Sequence, residues 1–230
     1  MGVGNRALER DQGSKVDRIE TKIIGLIQIK GGAGRSTLAT NLAGELAKKD
    51  QVLLIDCDMP QGTSASWAAM REAGDLTTTF AADHRELVAE IELHQDNYDF
   101  IVLDGAPRSN ELTRAIMVLA DLSLIPVGAS AAEVWATSDM LPIIEAAREI
   151  KPDLLTRIVW TRYRGYTRTA KEISRAAGRE LGLKALRNKI GFRVAYSDAL
   201  ARGLTAAETA DKAARAEVEA LTREVKKLVS

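Results

Sequence analysis

Short apolar runs alternate with longer segments of helical period along most of this chain. Between the runs, apolar residues recur every three or four positions, as Leu38, Leu42 and Leu46 do. Near-continuous apolar strands separated by helices form parallel sheets that are covered on both faces. We therefore predict an α/β fold, doubly wound, with a mostly parallel sheet and helices on both faces. The strands are expected at residues 22–29, 51–56, 99–104, 122–127 and 156–161, with a weaker sixth at 186–190.

The composition limits the class of protein. The chain carries 32 Lys+Arg and 32 Asp+Glu, so any contact with nucleic acid has to come from a local basic patch. The single cysteine, Cys57, excludes an intrachain disulfide framework and suits a reducing cytoplasm. No apolar run approaches the roughly 18 residues that span a bilayer. We expect a cytoplasmic domain over residues 22–230, preceded by a mobile N-terminal tail at residues 1–21.

A glycine-rich segment, KGGAGRST, follows the first strand and opens a helix. Its glycines let the backbone turn tightly and aim N–H groups at an anion, and the helix adds the positive end of its dipole. Ser36 or Thr37 offers a hydroxyl to a magnesium ion held by phosphates. The nucleotide-binding residues predicted here are Lys30, Gly31, Gly32, Ala33, Gly34, Arg35, Ser36 and Thr37.

The loop departs from the usual phosphate-binding pattern, G-x-x-x-x-G-K-[ST], at two positions. Ile29 occupies the first glycine position, and Arg35 occupies the lysine position. A different lysine, Lys30, stands at the start of the loop. Arginine keeps the positive charge but is planar and bulkier, so it is not equivalent to lysine.

Carboxylates end two more of the predicted strands. Asp56 and Asp58 are separated by two positions, which lets both face the same side of a strand end. Asp104 ends the third apolar run, where phosphoryl-transfer sites place a carboxylate that orders magnesium. Ligands of such sheets lie beyond the carboxyl ends of the strands. We predict a magnesium site served by Ser36, Asp56 and Asp104, partly through water.

These motifs together resemble the deviant Walker ATPases, and within them the ParA/ParF-type DNA-partition ATPases of the MinD/ParA superfamily. The shared features are the K-G-G-x-G loop, the D-x-D followed by P-Q, and the strand that ends D-G-A. The resemblance extends from about Lys22 to the C-terminus. It implies a P-loop NTPase-like fold, a weak Mg-dependent ATPase with ATP and Mg²⁺ as cofactors, and an ATP-bound sandwich homodimer.

The resemblance also implies roles for single residues. Lys30 matches the lysine that reaches across the dimer to the partner's nucleotide, and Asp58 matches the residue that positions the attacking water. These two are the catalytic candidates. Asp104 matches the acid that orders magnesium. The positions that contact adenine in the family fall on Thr161, Arg162 and residues 190–193.

Two departures from the family pattern affect the expected activity. Because Arg35 replaces the loop lysine, we expect ATP binding to survive and hydrolysis to be slow. Met59 interrupts the usual D-x-D-P-Q and lengthens the turn by one residue, which bears on the placement of Asp58.

The C-terminal third is locally basic although the whole chain is neutral. Clustered cations bind nucleic-acid phosphates without reading sequence, and such binding is salt-sensitive. The resemblance implies that the ATP-bound dimer binds DNA non-specifically and is nucleoid-associated. The DNA-binding candidates are Arg164, Arg168, Lys171, Arg187 and Lys189.

The last segment forms an apolar stripe of helical period, which includes Val218, Leu221 and Val225. It lacks large aromatic anchors and mixes acids with bases, unlike helices that lie on membranes. We expect this helix to dock on its own domain, and we expect no membrane partner.

The favoured function is an ATP-dependent partition or positioning ATPase. Its ATP-bound dimer would bind DNA and be released when a centromere-binding or cargo adaptor protein stimulates hydrolysis, segregating plasmid or chromosomal DNA. Three alternatives stay open. They are a metabolic ATP-using enzyme of the same fold, a nucleotide-binding regulator that hydrolyses ATP poorly because of Arg35, and a membrane-bound division regulator.

Overall fold

One six-stranded sheet organises the computed structural model, which describes residues 20–59, 61–165 and 167–230. The strands are β1 (Lys22–Leu26), β2 (Val52–Asp56), β3 (Thr77–Phe80), β4 (Phe100–Asp104), β5 (Leu122–Gly128) and β6 (Thr156–Thr161). They lie in the order β3-β2-β4-β1-β5-β6, and every pair is parallel.

Helices cover both faces of this sheet. They are α1 (Arg35–Leu46), α2 (Thr63–Met70), α3 (His84–His94), α4 (Asn110–Leu119), α5 (Ala131–Ser138), α6 (Leu141–Ile150), α7 (Arg168–Glu180), α8 (Val194–Leu200) and α9 (Lys212–Val229). Along β2, Leu54 packs into one apolar cluster and Leu53 into the other, because successive side chains of a strand point to opposite faces. The doubly wound α/β prediction is confirmed.

The winding of the chain places a crevice beyond the end of β1. From β1 the chain builds β2 and β3 on one side, returns to β4, and then builds β5 and β6 on the other side. Ligands of open α/β sheets bind where the winding direction reverses, at the carboxyl ends of the strands. In the register, Leu26 lies opposite Asp104, and Asp104 lies opposite Asp56. The carboxylates found in the sequence therefore meet at this crevice.

The sixth strand predicted at residues 186–190 is wrong. Isolated bridges lie on either side of this segment, from Ile158 to Ala185 and from Tyr163 to Gly191, and none falls within it. Its backbone cannot continue a ladder, because the N–H groups of Arg187 and Asn188 donate to the Glu224 carboxylate of α9 at 2.8 and 2.9 Å.

The actual sixth strand is β3, at the edge of the sheet beside β2. Its sequence, Thr77–Phe80, is mostly polar and partly exposed, so it gives no apolar run. An edge strand is covered less than a central one, and this explains why the sequence pattern did not predict it.

The C-terminal helix α9 docks on its own domain, as expected. Val218, Leu221 and Val225 are buried against the sheet face that α1 also covers. Lys226 adds an ion pair to Asp50 at 2.8 Å. Within the described residues, no helix has the length and apolar character needed to cross a membrane.

The predicted mobile tail falls almost wholly on residues 1–19, which lie outside the described part of the chain. Of the remainder of that tail, Thr21 donates a hydrogen bond from its hydroxyl to the Tyr98 carbonyl oxygen at 2.6 Å.

Candidate nucleotide-binding site

The glycine-rich loop curls between β1 and α1. Gly32 and Gly34 have φ angles of 75° and 99°, in the left-handed region that favours glycine. The Thr161 hydroxyl, at the end of β6, donates to the Ala33 carbonyl oxygen at 3.0 Å and fixes the loop against the sheet. α1 begins at Arg35, so the loop leads directly into a helix N-terminus. This geometry suits an anion.

A cavity of about 510 Å³ opens beside the loop. The loop lines it from Gly31 to Thr37, and Asp58, Gln61 and Arg108 line it as well. The structure therefore brings most of the predicted phosphate-binding residues to one cavity. Lys30 does not line it.

Arg35 points beneath the loop and is 7% exposed. Its Nε donates to the Gly105 carbonyl oxygen at 2.7 Å, and its Nη1 donates to the carbonyl oxygens of Gln28 and Lys30. Its Nη2 lies 4.0 Å from Asp58 Oδ2. Arg35 thus ties the phosphate loop to the ends of β1 and β4, which a single lysine nitrogen would do less completely.

Asp58 faces the cavity despite the inserted Met59. The Asp58 carbonyl oxygen accepts hydrogen bonds from the backbone N–H groups of Gln61 and Gly62, at 3.0 and 2.7 Å, and these close a turn. Met59 is taken up in that turn and is 46% exposed. Burial raises the pKa of Asp58, although the nearby Arg35 charge opposes the rise.

Asp56 lies beneath the cavity and does not line it. Its Oδ1 accepts from the Asp58 N–H and its Oδ2 from the Ala65 N–H, both at 2.9 Å. Its residue exposure is 1%. Asp56 therefore shapes the turn after β2, and of the two carboxylates only Asp58 lines the cavity. A role for Asp56 in ordering magnesium-bound water stays a prediction.

Asp104 is fully buried at the end of β4. Its Oδ2 accepts a hydrogen bond from the Ser64 hydroxyl at 2.6 Å, whereas its Oδ1 has no hydrogen-bond partner within the described residues. Burial raises the pKa of Asp104 to about 6, against the opposing effect of the Ser64 and Ser36 hydroxyls.

These residues fit a magnesium ion that is held mainly by phosphates. An unpartnered buried carboxylate oxygen beside the Ser36 hydroxyl suits the water shell of Mg²⁺, which keeps several waters and uses few protein ligands. Within residues 20–59, 61–165 and 167–230, no group of three or more His, Cys, Asp or Glu residues forms an all-protein metal cage.

A second, largely apolar cavity of about 330 Å³ adjoins the first, and Leu200 lines both. Thr161, Arg162 and residues 190–193 line it, and their contact with adenine stays a prediction. Tyr196 and Leu200 of α8 also line it. Sequence patterns did not single them out, because no motif marks this helix.

Glu217 of α9 supports one wall of this second cavity. Its carboxylate accepts hydrogen bonds from the Tyr196 hydroxyl and from Arg193, both at 2.8 Å. It also accepts from the Gly191 N–H at 3.0 Å. Because these hydrogen bonds fix the wall, the cavity offers a preformed apolar surface that suits a flat ring such as that of a nucleobase.

Lys30 lies against α5 and does not line the cavity beside the loop. Its Nζ lies 3.4 Å from Glu133 Oε1, and Arg162 Nη2 donates to the same oxygen at 2.8 Å. Glu133 is thus shared by two cations. The catalytic role of Lys30 stays a prediction.

The basic residues occupy more than one surface. Arg168 and Lys171 are exposed on α7, and the Arg164 guanidinium lies 4.7 Å from the Phe192 ring. The Lys189 ammonium lies 4.0 Å from the Tyr163 ring. Arg187 belongs to a separate groove against α9, where the cations Arg223 and Lys227 were not anticipated from the sequence.

Comparison with known proteins relates this site to a family. The model of the CobQ/CobB/MinD/ParA nucleotide binding domain matches residues 24–206. Maintenance of carboxysome distribution protein A from Halothiobacillus neapolitanus is 29% identical over 79% of this chain and 85% of its own length. The protein of that name from Gloeobacter kilaueensis is 31% identical, over 89% and 92%. The chromosome-partitioning ATPase Soj from Thermus thermophilus is 27% identical, over 84% and 90%.

Solved structures share the fold. A Cyanothece McdA variant in complex with ATP superposes with a TM-score of 0.76 and 16% identity, covering 90% of this chain and 97% of its own. Septum site-determining protein MinD from Pyrococcus horikoshii, complexed with Mg-ADP, gives 0.73 and 19%, covering 91% and 98%.

The family match spans the phosphate loop, Asp58, Asp104 and the residues that line both cavities. The resemblance found in the motifs is confirmed. The chain belongs to the CobQ/CobB/MinD/ParA nucleotide-binding family and is a ParA-type ATPase of the MinD/ParA superfamily.

Proposed function

We propose that this protein is an ATP-dependent positioning ATPase that cycles between a monomer and an ATP-bound sandwich dimer. One observation carries the proposal. The phosphate loop and Asp58 line one cavity, Asp104 is buried beside Ser36 of that loop, and the adjoining apolar cavity has a character that suits a base.

Each residue has a defined task in the proposed mechanism. The N–H groups of the loop and the N-terminus of α1 bind the phosphates. Ser36 and Asp104 hold Mg²⁺, which supplies charge neutralisation for the phosphate oxygens. Asp58 orients the water that attacks the outer phosphate, and Lys30 leaves Glu133 to contact the partner's nucleotide. Because Arg35 donates to carbonyl oxygens of the protein, we propose that hydrolysis is slow without a partner.

The cargo is the finer part of the proposal. We propose that the dimer is nucleoid-associated and binds DNA non-specifically through α7 and its preceding loop, where Arg164, Arg168 and Lys171 lie. A centromere-binding or cargo adaptor protein would stimulate hydrolysis and release the dimer, segregating plasmid or chromosomal DNA. Of the three relatives described above, two are named for carboxysome distribution and one for chromosome partitioning. Positioning of a carboxysome or a similar protein assembly is therefore the second candidate.

A DNA titration tests this proposal. A non-specific duplex is titrated at about 50 and about 200 mM salt, without nucleotide, with ADP-Mg and with ATP-Mg. The expected result is salt-sensitive binding that requires ATP. The double variant Arg168→Ala, Lys171→Ala should bind more weakly, whereas Arg114→Gln, on the exposed face of α4, should bind as the wild type does. Binding that ignores the nucleotide would contradict the proposal.

The contacts of Arg35 favour one alternative, a nucleotide-binding regulator that hydrolyses ATP poorly. A single-turnover hydrolysis assay with and without DNA separates the two. Hydrolysis that DNA or a partner accelerates supports the positioning ATPase. Stable ATP retention under every condition supports the regulator.

A further inference from the structure

The cavity beside the phosphate loop, called the phosphate cavity below, has few cations that are free to bind a phosphate. Among the described residues that line it, the cations are Arg35 and Arg108, and the carboxylate is Asp58. Three carbonyl oxygens occupy Nε and Nη1 of Arg35, and its remaining nitrogen, Nη2, faces Asp58. The guanidinium of Arg35 therefore already contacts protein groups when no phosphate is bound.

Arg108 lines the same cavity. It is exposed, and within the described part of the chain its guanidinium forms no hydrogen bond or ion pair. Its backbone N–H donates to the Ile29 carbonyl oxygen at 3.2 Å. This bond anchors the backbone of Arg108 to the base of the phosphate loop while its side chain remains available.

The backbone of Arg108 is strained. Its φ of 58° lies in the left-handed region, which glycine or asparagine adopts at lower cost. It is held between Asp104, at the end of β4, and Ser109, which caps α4 by accepting from the Leu112 N–H. Strained residues that the surrounding structure enforces cluster at ligand sites. An arginine at this position therefore points to a task for its side chain.

We propose that Arg108 is a ligand of the outermost phosphate of a bound nucleoside triphosphate. It supplies the positive charge that Arg35 does not bring to this phosphate. The inference rests on the proposed function, since it requires a triphosphate in the cavity. The planar fork of arginine donates two parallel hydrogen bonds to phosphate oxygens.

The position in the cavity favours the outermost phosphate over the inner ones. The loop N–H groups and the α1 N-terminus suit the inner phosphates. Arg108 lines the cavity together with Asp58, the residue proposed to orient the attacking water. Water attacks the outermost phosphate, so Arg108, a cavity cation without a protein partner among the described residues, is available to bind that group.

Calorimetric titration with ATPγS-Mg and with ADP-Mg tests the inference. The variants are Arg108→Asn, which removes the charge and tolerates a left-handed backbone, and Arg108→Lys, which keeps the charge. Arg114→Gln removes a comparable exposed arginine from α4 as a control. We expect Arg108→Asn to lose about tenfold or more in ATPγS affinity, as for a charge-assisted hydrogen bond, and to keep its ADP affinity. Arg108→Lys should recover part of the loss.

Comparing ATPγS with ADP distinguishes a contact of Arg108 with the outermost phosphate from a structural role of Arg108. A role in folding the loop would weaken ATPγS and ADP equally, and this result would overturn the inference. Unchanged ATPγS affinity in Arg108→Asn would also overturn it and would leave the proposed function intact. Absence of binding by the wild-type protein would instead overturn the proposed function and this inference with it.

Discussion

Lys30 Nζ lies 3.4 Å from Glu133 Oε1 in the protein's own subunit. The Glu133 side chain is 15% exposed and also accepts from Arg162 Nη2 at 2.8 Å. The family resemblance assigns Lys30 to the partner's nucleotide, but here Lys30 pairs with the largely buried Glu133 carboxylate of its own subunit. In the proposed sandwich dimer, Lys30 would reach the partner's nucleotide only after this ion pair opens.

Weakening this ion pair should ease dimerisation. In Glu133→Gln the lysine loses a charged partner worth about 1 kcal/mol, so the ATP-dependent dimer should form at severalfold lower protein concentration. Sedimentation with ATPγS-Mg measures the change. Glu145→Gln, which removes an exposed acid from α6, is the control. A weaker dimer in Glu133→Gln would show that Glu133 supports the dimer and does not restrain it.

Removing the Asp58 carboxylate should trap the ATP-bound state. Asp58→Asn keeps the shape of the turn but cannot orient the attacking water as a charged acceptor, so hydrolysis should fall by about 100-fold or more. The variant should still bind ATP and stay dimeric on DNA. Hydrolysis and nucleotide binding are measured side by side. Loss of ATP binding would instead place Asp58 in the magnesium shell.

Arg35 should stabilise the nucleotide-free protein. Arg35→Met removes the donors to the carbonyl oxygens of Gly105, Gln28 and Lys30, which should lower the free energy of unfolding by about 2 kcal/mol or more. Denaturant unfolding measures this loss. Arg175→Met, at an exposed position of α7, should change it by less than about 0.5 kcal/mol. Equal stability of both variants would contradict the role of Arg35 as a tie beneath the loop.

Two glycines with similar backbones should respond differently to alanine. Gly203 and Gly74 have φ of 66° and 60°, but a Cβ on Gly203 would lie 2.5 Å from the Met70 carbonyl carbon, whereas one on Gly74 meets open space. Gly74→Ala should cost about 1 kcal/mol of stability through backbone strain. Gly203→Ala should cost about 2 kcal/mol more, because the backbones must separate. Equal costs in denaturant unfolding would show that the contact is not tight.

Glu208 should make stability depend on pH. Burial opposes its ionisation, but hydrogen bonds from Arg71 and from the Thr205 N–H outweigh burial, so the pKa of Glu208 is lowered. Asp75 is the other acid that faces Arg71. Its lowered pKa stabilises the folded protein. This stabilisation is complete at pH values above the pKa of Glu208 in the unfolded chain, and it is lost as the pH falls through the pKa of Glu208 in the folded protein. The stability difference between the wild type and Glu208→Gln should shrink below about pH 4. A difference that does not change with pH would contradict this.

Sequence patterns predicted most of the sheet and of the phosphate cavity, and the reason is physical. Buried parallel strands such as β2 and β4 require apolar side chains on both faces, so a polar residue at their ends, such as Asp58 or Asp104, is conspicuous. The glycines of the loop can also be recognised in the sequence. Gly32 and Gly34 have positive φ values, which few other residues adopt at low cost.

The residues that sequence patterns missed depend on tertiary contacts. The threonines of β3 form a strand only because β2 lies beside them. The segment at residues 186–190 is diverted from the sheet by Glu224, which is distant in the chain. Tyr196 lines the apolar cavity, and Arg108 lines the phosphate cavity. The tertiary fold places both residues there, and no local sequence motif marks either of them.

Sedimentation of the wild-type protein and of Lys30→Ala, with ADP-Mg and with ATPγS-Mg, tests the central claim most directly. The account predicts that the wild type is a monomer with ADP and a dimer with ATPγS. It also predicts that Lys30→Ala binds ATPγS yet stays monomeric. A wild type that remains monomeric with bound ATPγS, or a Lys30→Ala protein that dimerises as the wild type does, would contradict a nucleotide-driven sandwich dimer.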